Sequence, residues 1–239
     1  MTAAAHGGLL APRAWQWVRG MPGERGLAGD RVAGPLPFAV TAGQPLALWP
    51  VTAIAGITDG ATVWLGGDSA GVAGSALHVR ADAKVFITGP YVIGFTTSFR
   101  MGQLLRYTFT PPPPVAATDL HAHMCTSFTD ALRDCLKTGG WATKDKDQES
   151  GGNFLVGVHG RLFEIMSDYQ VAEEAIPYMA TGAGEAYVLG ALHATEGLGM
   201  EPGLRLRAAL AAAEYHCTDV CGPFRVVRTP PAEAGEAAA

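Results

Sequence analysis

The sequence predicts an α+β fold in which two antiparallel sheets each carry a pair of helices on their outer side. The predicted elements run in the order strands, two helices, strands, two helices and one last strand. A doubly wound fold alternates strands and helices one by one, so this order argues against that class. Turn signals at Asp59-Gly60 and His159-Gly160 separate neighbouring apolar runs, which indicates hairpins and antiparallel pairing.

In the first half of the chain, apolar runs and proline-containing turns predict where the strands and helices begin and end. Leucine, methionine and phenylalanine recur every four residues along the second helix, on one face, and Pro111–Pro114 ends the first helix. A small-residue connection is expected at 69–80. The predicted strands are 52–58, 62–68, 84–88 and 91–97, and the predicted helices are 99–109 and 118–136.

The second half repeats the pattern after a polar loop at 144–152. A strand at 175–181 ends in Gly182-Ala183-Gly184, which is typical of a tight strand-to-helix turn. The remaining predictions are a hairpin of 153–158 with 161–167, helices at 185–195 and 204–216, and a strand at 224–228.

Composition narrows the class of protein. The chain has 239 residues, is 48% apolar and carries a net charge of −5. The negative net charge gives no sign of the basic surface that nucleic-acid-binding proteins carry, so nucleic acid is not an expected partner. Prolines interrupt the charge-free run 33–58, which argues against a membrane span. No secretory apolar region precedes the four cysteines, so we expect a cytoplasmic protein with reduced thiols.

The domain organisation follows from where periodic patterns begin and end. Residues 1–51 are rich in glycine, alanine, proline and arginine without a period, and we interpret them as a poorly ordered leader, a propeptide or a wrongly assigned start. Residues 52–228 carry the folded domain. Residues 229–239 form a Pro/Ala/Glu tail that is expected to be disordered.

Three residues with reactive side chains stand at strand ends. Thr52 opens the first strand, Asp68 ends the second and Lys84 opens the third. A threonine hydroxyl is a poor nucleophile near pH 7 and needs a base, which an N-terminal threonine supplies through its own α-amine. A nearby ammonium favours the neutral, basic form of that amine. The set therefore suits an activated N-terminal nucleophile.

These residues carry a resemblance to the proteasome β-subunit family, including bacterial proteasome-like peptidases that work with a ring-shaped ATP-driven unfoldase. Thr52, Asp68 and Lys84-Val85 stand at the spacing of that family, and the register continues through the strand at 90–94. Gly182-Ala183-Gly184 resembles the family's Gly-Ser-Gly motif. The resemblance extends over 52–227.

The resemblance implies a four-layer αββα sandwich of the N-terminal nucleophile (Ntn) hydrolases and threonine-type endopeptidase activity. It implies a homo-oligomeric ring, a possible unfoldase partner and unfolded proteins or peptides as substrates, with no required cofactor. Thr52 would be the nucleophile, Lys84 the positive charge and Asp68 the group that orients Lys84. The backbone N–H of Ser98, where the family has glycine, would donate to the oxyanion. Ala183 replaces the family's serine.

Two further sets of residues follow only from the resemblance. Gly71, Asp82, Thr96 and Arg100 would line the pocket for the residue before the scissile bond. Arg100 would favour acidic side chains there unless Asp82 neutralises it. Backbone carbonyls at the end of the last helix would bind a monovalent or divalent cation; they belong to Glu214, Cys217 and Val220.

Histidines and cysteines offer weaker signals for a metal. His121, His123 and Cys125 do not converge on one helix face, so a solvated helix start is the preferred interpretation. For His216, Cys217 and Cys221 a buried helix end is preferred over a zinc site.

Thr52 is internal in the chain as written, so its nitrogen is an amide and cannot act as a base. Self-cleavage at Val51-Thr52 would expose it, although the family normally has glycine before the threonine. Alternatively, Val51 is the true initiation site and its methionine is removed, which is the hypothesis we favour. Two other functions stay open: a catalytically silent structural subunit, and an Ntn amidase that acts on a small amide.

Overall fold

The computed structural model describes residues 51–114, 119–145 and 148–231. The segment 1–51 that was predicted to be a leader, a propeptide or a wrongly assigned start lies outside this range except for its last residue. The helices are Phe99–Tyr107 (α1), Leu120–His123 (α2), Thr129–Thr138 (α3), Glu185–Ala194 (α4) and Pro202–His216 (α5). The strands are Ala53–Thr58 (β1), Val63–Gly67 (β2), Ala70–Ala73 (β3), Ala76–Val79 (β4), Val85–Thr88 (β5), Tyr91–Phe95 (β6), Thr143–Asp145 (β7), Gln148–Ser150 (β8), Phe154–Val158 (β9), Arg161–Ile165 (β10), Val171–Ala172 (β11), Tyr178–Gly182 (β12) and Arg225–Arg228 (β13).

Two antiparallel sheets form the centre of the described domain. One has the strand order β12-β1-β2-β13 and the other has the order β11-β10-β9-β6-β5. The β1–β2 hairpin turns at Asp59, whose carboxylate accepts the N–H groups of Ala61 and Thr62, while Gly60 has φ +89°. The predicted mixed fold with antiparallel hairpins is therefore confirmed.

Strand alternation distributes the apolar side chains over three clusters. In β1, Ile54 packs towards the second sheet, whereas Ala53, Ala55 and Ile57 pack against α4 and α5, as a period of two requires. The cluster between the sheets consists of Ile54, Val63, Leu65, Val85, Val92, Leu155, Leu162 and Met179. A third and larger cluster joins β6, β9 and β10 to α1 and to the helical segment 120–138.

Two predicted loops contain hairpins instead. The connection at 69–80 forms β3 and β4, with Gly74 at φ +60° in the turn. The polar loop at 144–152 contains β8 and the end of β7. Both hairpins lie at the surface, where most of their side chains are exposed. An exposed strand needs no apolar alternation, so sequence periodicity could not reveal them.

The second predicted helix is helical from Leu120 to Thr138, with a π-helical turn at Met124–Phe128 between α2 and α3. The solvated start predicted for it is wrong at His123, which is buried. The Nε2 atom of His123 lies 3.1 Å from the Tyr91 hydroxyl, which donates to the Pro112 carbonyl. This tertiary partner satisfies a polar group that sequence alone would place in water.

The start of the last helix and the C-terminal end of the ordered part differ from the predictions by a few residues. Helix α5 begins at Pro202 because the Glu201 carboxylate accepts the Leu204 N–H as an N-cap. Thr229, predicted in the disordered tail, is buried and exchanges hydrogen bonds with Val63. Residues 232–239 lie outside the described range.

Two helical glycines supply a matched test of this packing. A Cβ at Gly102 in α1 would lie 2.1 Å from Cζ of the buried Phe95, whereas one at Gly190 in α4 would meet nothing within 4 Å. We expect Gly102→Ala to lower the free energy of unfolding by about 1–3 kcal/mol through overpacking. Gly190→Ala should raise it by about 0.5–1 kcal/mol through helix propensity. Urea unfolding followed by circular dichroism measures both, and equal effects would contradict the described packing of α1.

Candidate active site

Three side chains predicted from the sequence meet at one end of the two sheets. Thr52 lies just before β1, Asp68 just after β2 and Lys84 just before β5 of the opposite sheet. The Lys84 Nζ atom donates to the Thr52 Oγ1 at 2.6 Å and to the Asp68 Oδ1 at 2.8 Å. All three residues are 2% exposed. We call this cluster the buried trio.

The Asp68 carboxylate is held by the backbone as well as by Lys84. Its Oδ1 accepts the Ala53 N–H at 3.1 Å, and its Oδ2 accepts the Ala70 N–H at 2.8 Å and the Cys221 N–H at 3.4 Å. Charge-assisted bonds of this kind fix a carboxylate in one orientation. Asp68 is therefore placed to orient the Lys84 ammonium towards the Thr52 hydroxyl.

Burial and charge act in opposite directions on Lys84. Burial lowers the pKa of the Lys84 ammonium, because a charged group loses its water, and the adjacent Asp68 carboxylate opposes this effect. A lysine with a lowered pKa loses its proton more readily than an ordinary lysine. Such a group beside a hydroxyl is a candidate for acid–base chemistry.

The backbone of Thr52 is held in an unusual conformation. Its φ is +89°, a genuine outlier for a β-branched residue. Its N–H donates to the Asp219 carbonyl at 3.1 Å and its carbonyl accepts the Gly184 N–H at 3.2 Å. Gly182, at φ +105°, leaves room for this carbonyl, since a Cβ there would lie 2.4 Å from it. Strain held by such contacts is common at functional sites.

Sequence reasoning missed Asp219 and did not assign a site role to Gly184. Both residues contact Thr52 through main-chain atoms, and the type of side chain at a position does not predict such contacts. The sequence predicts a strand-to-helix turn at 182–184 that resembles a family motif, and the structure shows that this turn also supports the backbone of Thr52.

The structure does not bring Ser98 into the trio. Ser98 is the N-cap of α1, and its hydroxyl accepts the Arg100 N–H at 3.1 Å. Its own N–H, the group expected to stabilise an oxyanion, donates to the Thr96 carbonyl at 2.7 Å. This bond closes a γ-turn around Thr97, which has φ +68°. The expected donor is therefore already engaged in this conformation.

The four pocket residues implied by the resemblance have different surroundings. Thr96 is buried and its hydroxyl donates to the Asn153 carbonyl. Asp82 binds Arg80 through two hydrogen bonds of 2.7 Å, and Gly71 packs against the stem of Arg80. The Arg100 guanidinium instead donates to the Gly139 carbonyl. The expectation that Asp82 neutralises Arg100 is thus replaced by an ion pair with Arg80.

The three expected cation ligands lie around the end of α5. The Glu214 carboxylate accepts the Gly222 N–H at 2.7 Å, and the Cys217 carbonyl accepts the Val220 N–H at 3.3 Å. Within the described ranges, no cluster of three His, Cys, Asp or Glu residues is arranged to hold a metal ion. Binding of a cation by these carbonyls stays a prediction.

The shifted pKa values of two glutamates predict that the free energy of unfolding depends on pH in opposite directions. Burial raises the pKa of Glu164 on β10 from its ordinary 4.5, while backbone N–H groups at the start of α5 lower the pKa of Glu201. The stability that protonated Glu164 contributes is present below pH 4.5 and is lost as pH rises through its folded pKa. The contribution of Glu201 is present above pH 4.5 and is lost as pH falls through its lowered pKa.

We therefore expect Glu164→Gln to become more stabilising, relative to the original chain, as pH rises from 4 to 7. Glu201→Gln should show the reverse trend. Urea midpoints at both pH values measure this, and a parallel response of the two variants would contradict it.

Comparison with known proteins shows which solved structures share the fold of this chain. No protein-family model matches the chain, and no curated protein matches its sequence. Solved structures do match. BPH from Thiobacillus denitrificans has 19% identity and a TM-score of 0.63, covering 75% of this chain and 98% of the other. Eukaryotic HslV from Trypanosoma brucei has 20% identity and a TM-score of 0.53, covering 74% and 98%. Anbu, an ancestral beta-subunit from Yersinia bercovieri, has 15% identity and a TM-score of 0.54, covering 75% and 82%.

The chain shares the proteasome-like fold of these solved structures. In this proteasome-like fold, the buried trio lies where two strands of one sheet and one strand of the other reach the same end. No helix within the described residues is long and apolar enough to span a bilayer.

Proposed function

We propose that this chain is a threonine-type endopeptidase whose nucleophile is Thr52. The observation that carries the proposal is the contact of the Thr52 hydroxyl with a buried lysine that is itself fixed by a carboxylate. We further propose that the two sheets and their helices form the four-layer αββα sandwich of the Ntn hydrolases. The three apolar clusters support that layering.

The chemistry begins when Thr52 becomes the first residue. Its neutral α-amine accepts the Oγ1 proton while Oγ1 attacks the peptide carbonyl carbon. The resulting tetrahedral intermediate collapses, the C–N bond breaks, and the amine passes the proton to the leaving nitrogen. Water then attacks the Thr52 ester, with the amine again as base, and the acid product leaves. Lys84 favours the neutral amine through its positive charge and stabilises the developing alkoxide.

A contact of the Thr52 nitrogen supports the proposed role of the new α-amine. The Thr52 nitrogen lies 3.1 Å from the Asp219 carbonyl, which can keep accepting one of its hydrogens. The oxyanion requires backbone donors. We assign this role to the Ser98 N–H after it leaves the Thr96 carbonyl, so substrate binding opens the γ-turn at Thr97.

We extend the proposal to assembly and partners. We propose a homo-oligomeric ring that receives unfolded protein, with an ATP-dependent unfoldase as a possible partner and the cytoplasm as its location. The fold shared with HslV and Anbu supports an oligomer. Native mass spectrometry of the chain that begins at Thr52 tests this, and a monomer at micromolar concentration would contradict the ring.

A covalent probe tests the proposed nucleophile directly. Thiobacillus denitrificans BPH has also been solved in complex with epoxomicin, at 18% identity to this chain and a TM-score of 0.64. We expect intact-mass analysis to show one epoxomicin adduct per chain when the protein begins at Thr52. Peptide mapping should locate the adduct at that residue. The matched control Thr52→Ala should stay unmodified.

Hydrolysis is measured beside labelling on a reduced, carboxymethylated protein. Cleavage that disappears in Thr52→Ala supports the peptidase. Absence of both labelling and cleavage in the correctly exposed chain would contradict it.

The silent structural subunit is the second candidate, and one observation favours it. The expected oxyanion donor is engaged with Thr96, and that donor comes from serine rather than the family's glycine. A ring that assembles normally but neither reacts with epoxomicin nor cleaves protein would establish this role. An amidase would instead cleave a small amide and leave the unfolded protein intact.

A further inference from the structure

Two opposite edges of the paired sheets carry charges of opposite sign. The strand orders end at β5 and β13 on one side, where these two strands contact each other, and at β11 and β12 on the other, where β12 contacts β10. An edge strand presents unpaired backbone N–H and C=O groups, and natural proteins cover or protect such edges. Both edges are therefore candidate contact surfaces.

The edge formed by β5 and β13 is basic. It contains a groove of about 590 Å³, which Arg106 reaches from α1, Arg207 from α5 and Arg225 from β13. None of these arginines forms an ion pair with another of the described residues. Ile87 of β5 also lines the groove and is 51% exposed. We call these four residues the basic edge.

Two carboxylates on which these arginines act are already engaged elsewhere. Hydrogen bonds from Arg80 lower the pKa of Asp82, and Arg106 adds a smaller effect. Backbone N–H groups at the start of α5 lower the pKa of Glu201, and Arg207 adds a smaller effect. The basic edge therefore keeps its capacity to bind further carboxylates.

The opposite edge is acidic. Glu164 lies on β10, Glu174 follows β11 and Glu185 begins α4 after β12. Within the described part of the chain, none of the three forms an ion pair, and Arg161 on β10 is held by Glu173. Burial raises the pKa of Glu164, and the like charges of Glu185 and Glu174 raise it further. A cation that arrives beside such carboxylates stabilises their charged form.

The segment that carries Glu174 is held at both ends. It leaves β11, which pairs with β10, and it ends at Pro177, whose carbonyl accepts the Thr58 N–H at 2.9 Å. All of its residues 173–177 are exposed, and Ile176 is 46% exposed. It therefore offers a carboxylate and an apolar side chain to a neighbouring molecule. We call Glu164, Glu174, Ile176 and Glu185 the acidic edge.

The two edges complement each other, because three guanidinium groups on one side match three carboxylates on the other and each side exposes an isoleucine. We infer that copies of this chain associate head to tail, with the acidic edge of one copy seated in the groove of the basic edge of the next. The two surfaces differ, so the contact is heterologous and produces a ring when the rotation between copies closes. This inference rests on the proposed ring and names its contact surfaces.

Reversing the charge of one exposed residue on each edge tests the contact. Sedimentation velocity gives the assembled fraction against concentration, for the full chain and for the chain that begins at Thr52. Arg225→Glu and Glu174→Arg should each raise the concentration at half assembly by about tenfold or more, because each brings like charges together. Raising the salt from about 0.1 M to about 1 M shortens the Debye length from about 10 Å to about 3 Å and should also weaken the original assembly.

Rescue distinguishes a lost contact from lost folding. In an equimolar mixture, the intact acidic edge of Arg225→Glu meets the intact basic edge of Glu174→Arg, so assembly should return. The double variant, which exchanges both charges, should also assemble more readily than either single variant. The matched controls Lys137→Glu and Asp134→Arg reverse exposed charges on α3, which contributes to neither edge, and should leave assembly unchanged.

The outcomes separate this inference from the proposed function. Assembly that neither single variant weakens, or that the mixture and the double variant do not restore, would overturn the inference and leave the proposed ring standing. A monomer in both forms of the original chain would overturn both. Assembly only after removal of residues 232–239 would assign the basic edge to the tail, which carries Glu233 and Glu236, and would also overturn the inference.

Epoxomicin labelling of Thr52 is recorded for every variant. Assembly that follows the charges without any labelling would leave the head-to-tail contact standing and contradict the peptidase. Labelling with assembly that ignores the charges would support the peptidase and overturn the contact.

Discussion

Lys84→Met is expected to reduce hydrolysis of unfolded protein by about a thousandfold in a chain that begins at Thr52. Methionine fills a similar volume but carries neither the charge that we propose keeps the Thr52 amine neutral nor the donor that contacts Oγ1. Initial rates on reduced, carboxymethylated protein measure the loss. A variant with more than a tenth of the original rate would show that Lys84 is structural.

The free energy of unfolding should distinguish the two partners of the Lys84–Asp68 ion pair. Asp68 keeps backbone donors from Ala53 and Ala70 when Lys84 is gone, so Lys84→Met should remain folded. Asp68→Asn leaves a buried lysine unpaired and turns an amide donor towards backbone donors. We expect it to lose about 3–5 kcal/mol of unfolding free energy. Urea unfolding of the two variants should therefore rank Asp68→Asn as clearly the less stable.

Blocking the nitrogen of Thr52 should be as damaging as removing Lys84. A single alanine placed before Thr52 converts the amine to an amide, which has no basic lone pair, while the hydroxyl and its contact with Lys84 remain. The proposed base disappears, and the rate should fall by about a thousandfold or more. The control is the chain that begins at Thr52, produced by the same cleavage method.

The same prediction extends to the natural protein. N-terminal sequencing and intact mass of the protein made from its own gene, with its upstream DNA, should show a chain that begins at Thr52. An active protein whose Thr52 nitrogen is still in a peptide bond would contradict the proposed mechanism. Peptides from residues 1–40 in that protein would refute an internal start at Val51 and leave self-cleavage as the route.

Much of the fold could be predicted from local patterns. The apolar runs of β1 and β9, the four-residue apolar period along 120–138 and the glycine turns at residues 60 and 160 are each local patterns of a few residues, so the sequence reveals them directly. The surface hairpins at 70–79 and 143–150 gave no such signal, because their side chains need not alternate between core and solvent.

Within the site, the sequence by itself determined which residues could form an activated nucleophile, since strand ends at the right spacing carry Thr52, Asp68 and Lys84. Only the tertiary structure decided the partners of the surrounding groups. Asp82 binds Arg80, Arg100 reaches the carbonyl of Gly139, and the Ser98 N–H is held within a γ-turn. The reason is physical: these contacts depend on backbone angles, main-chain atoms and neighbours distant along the chain, none of which a residue's identity specifies.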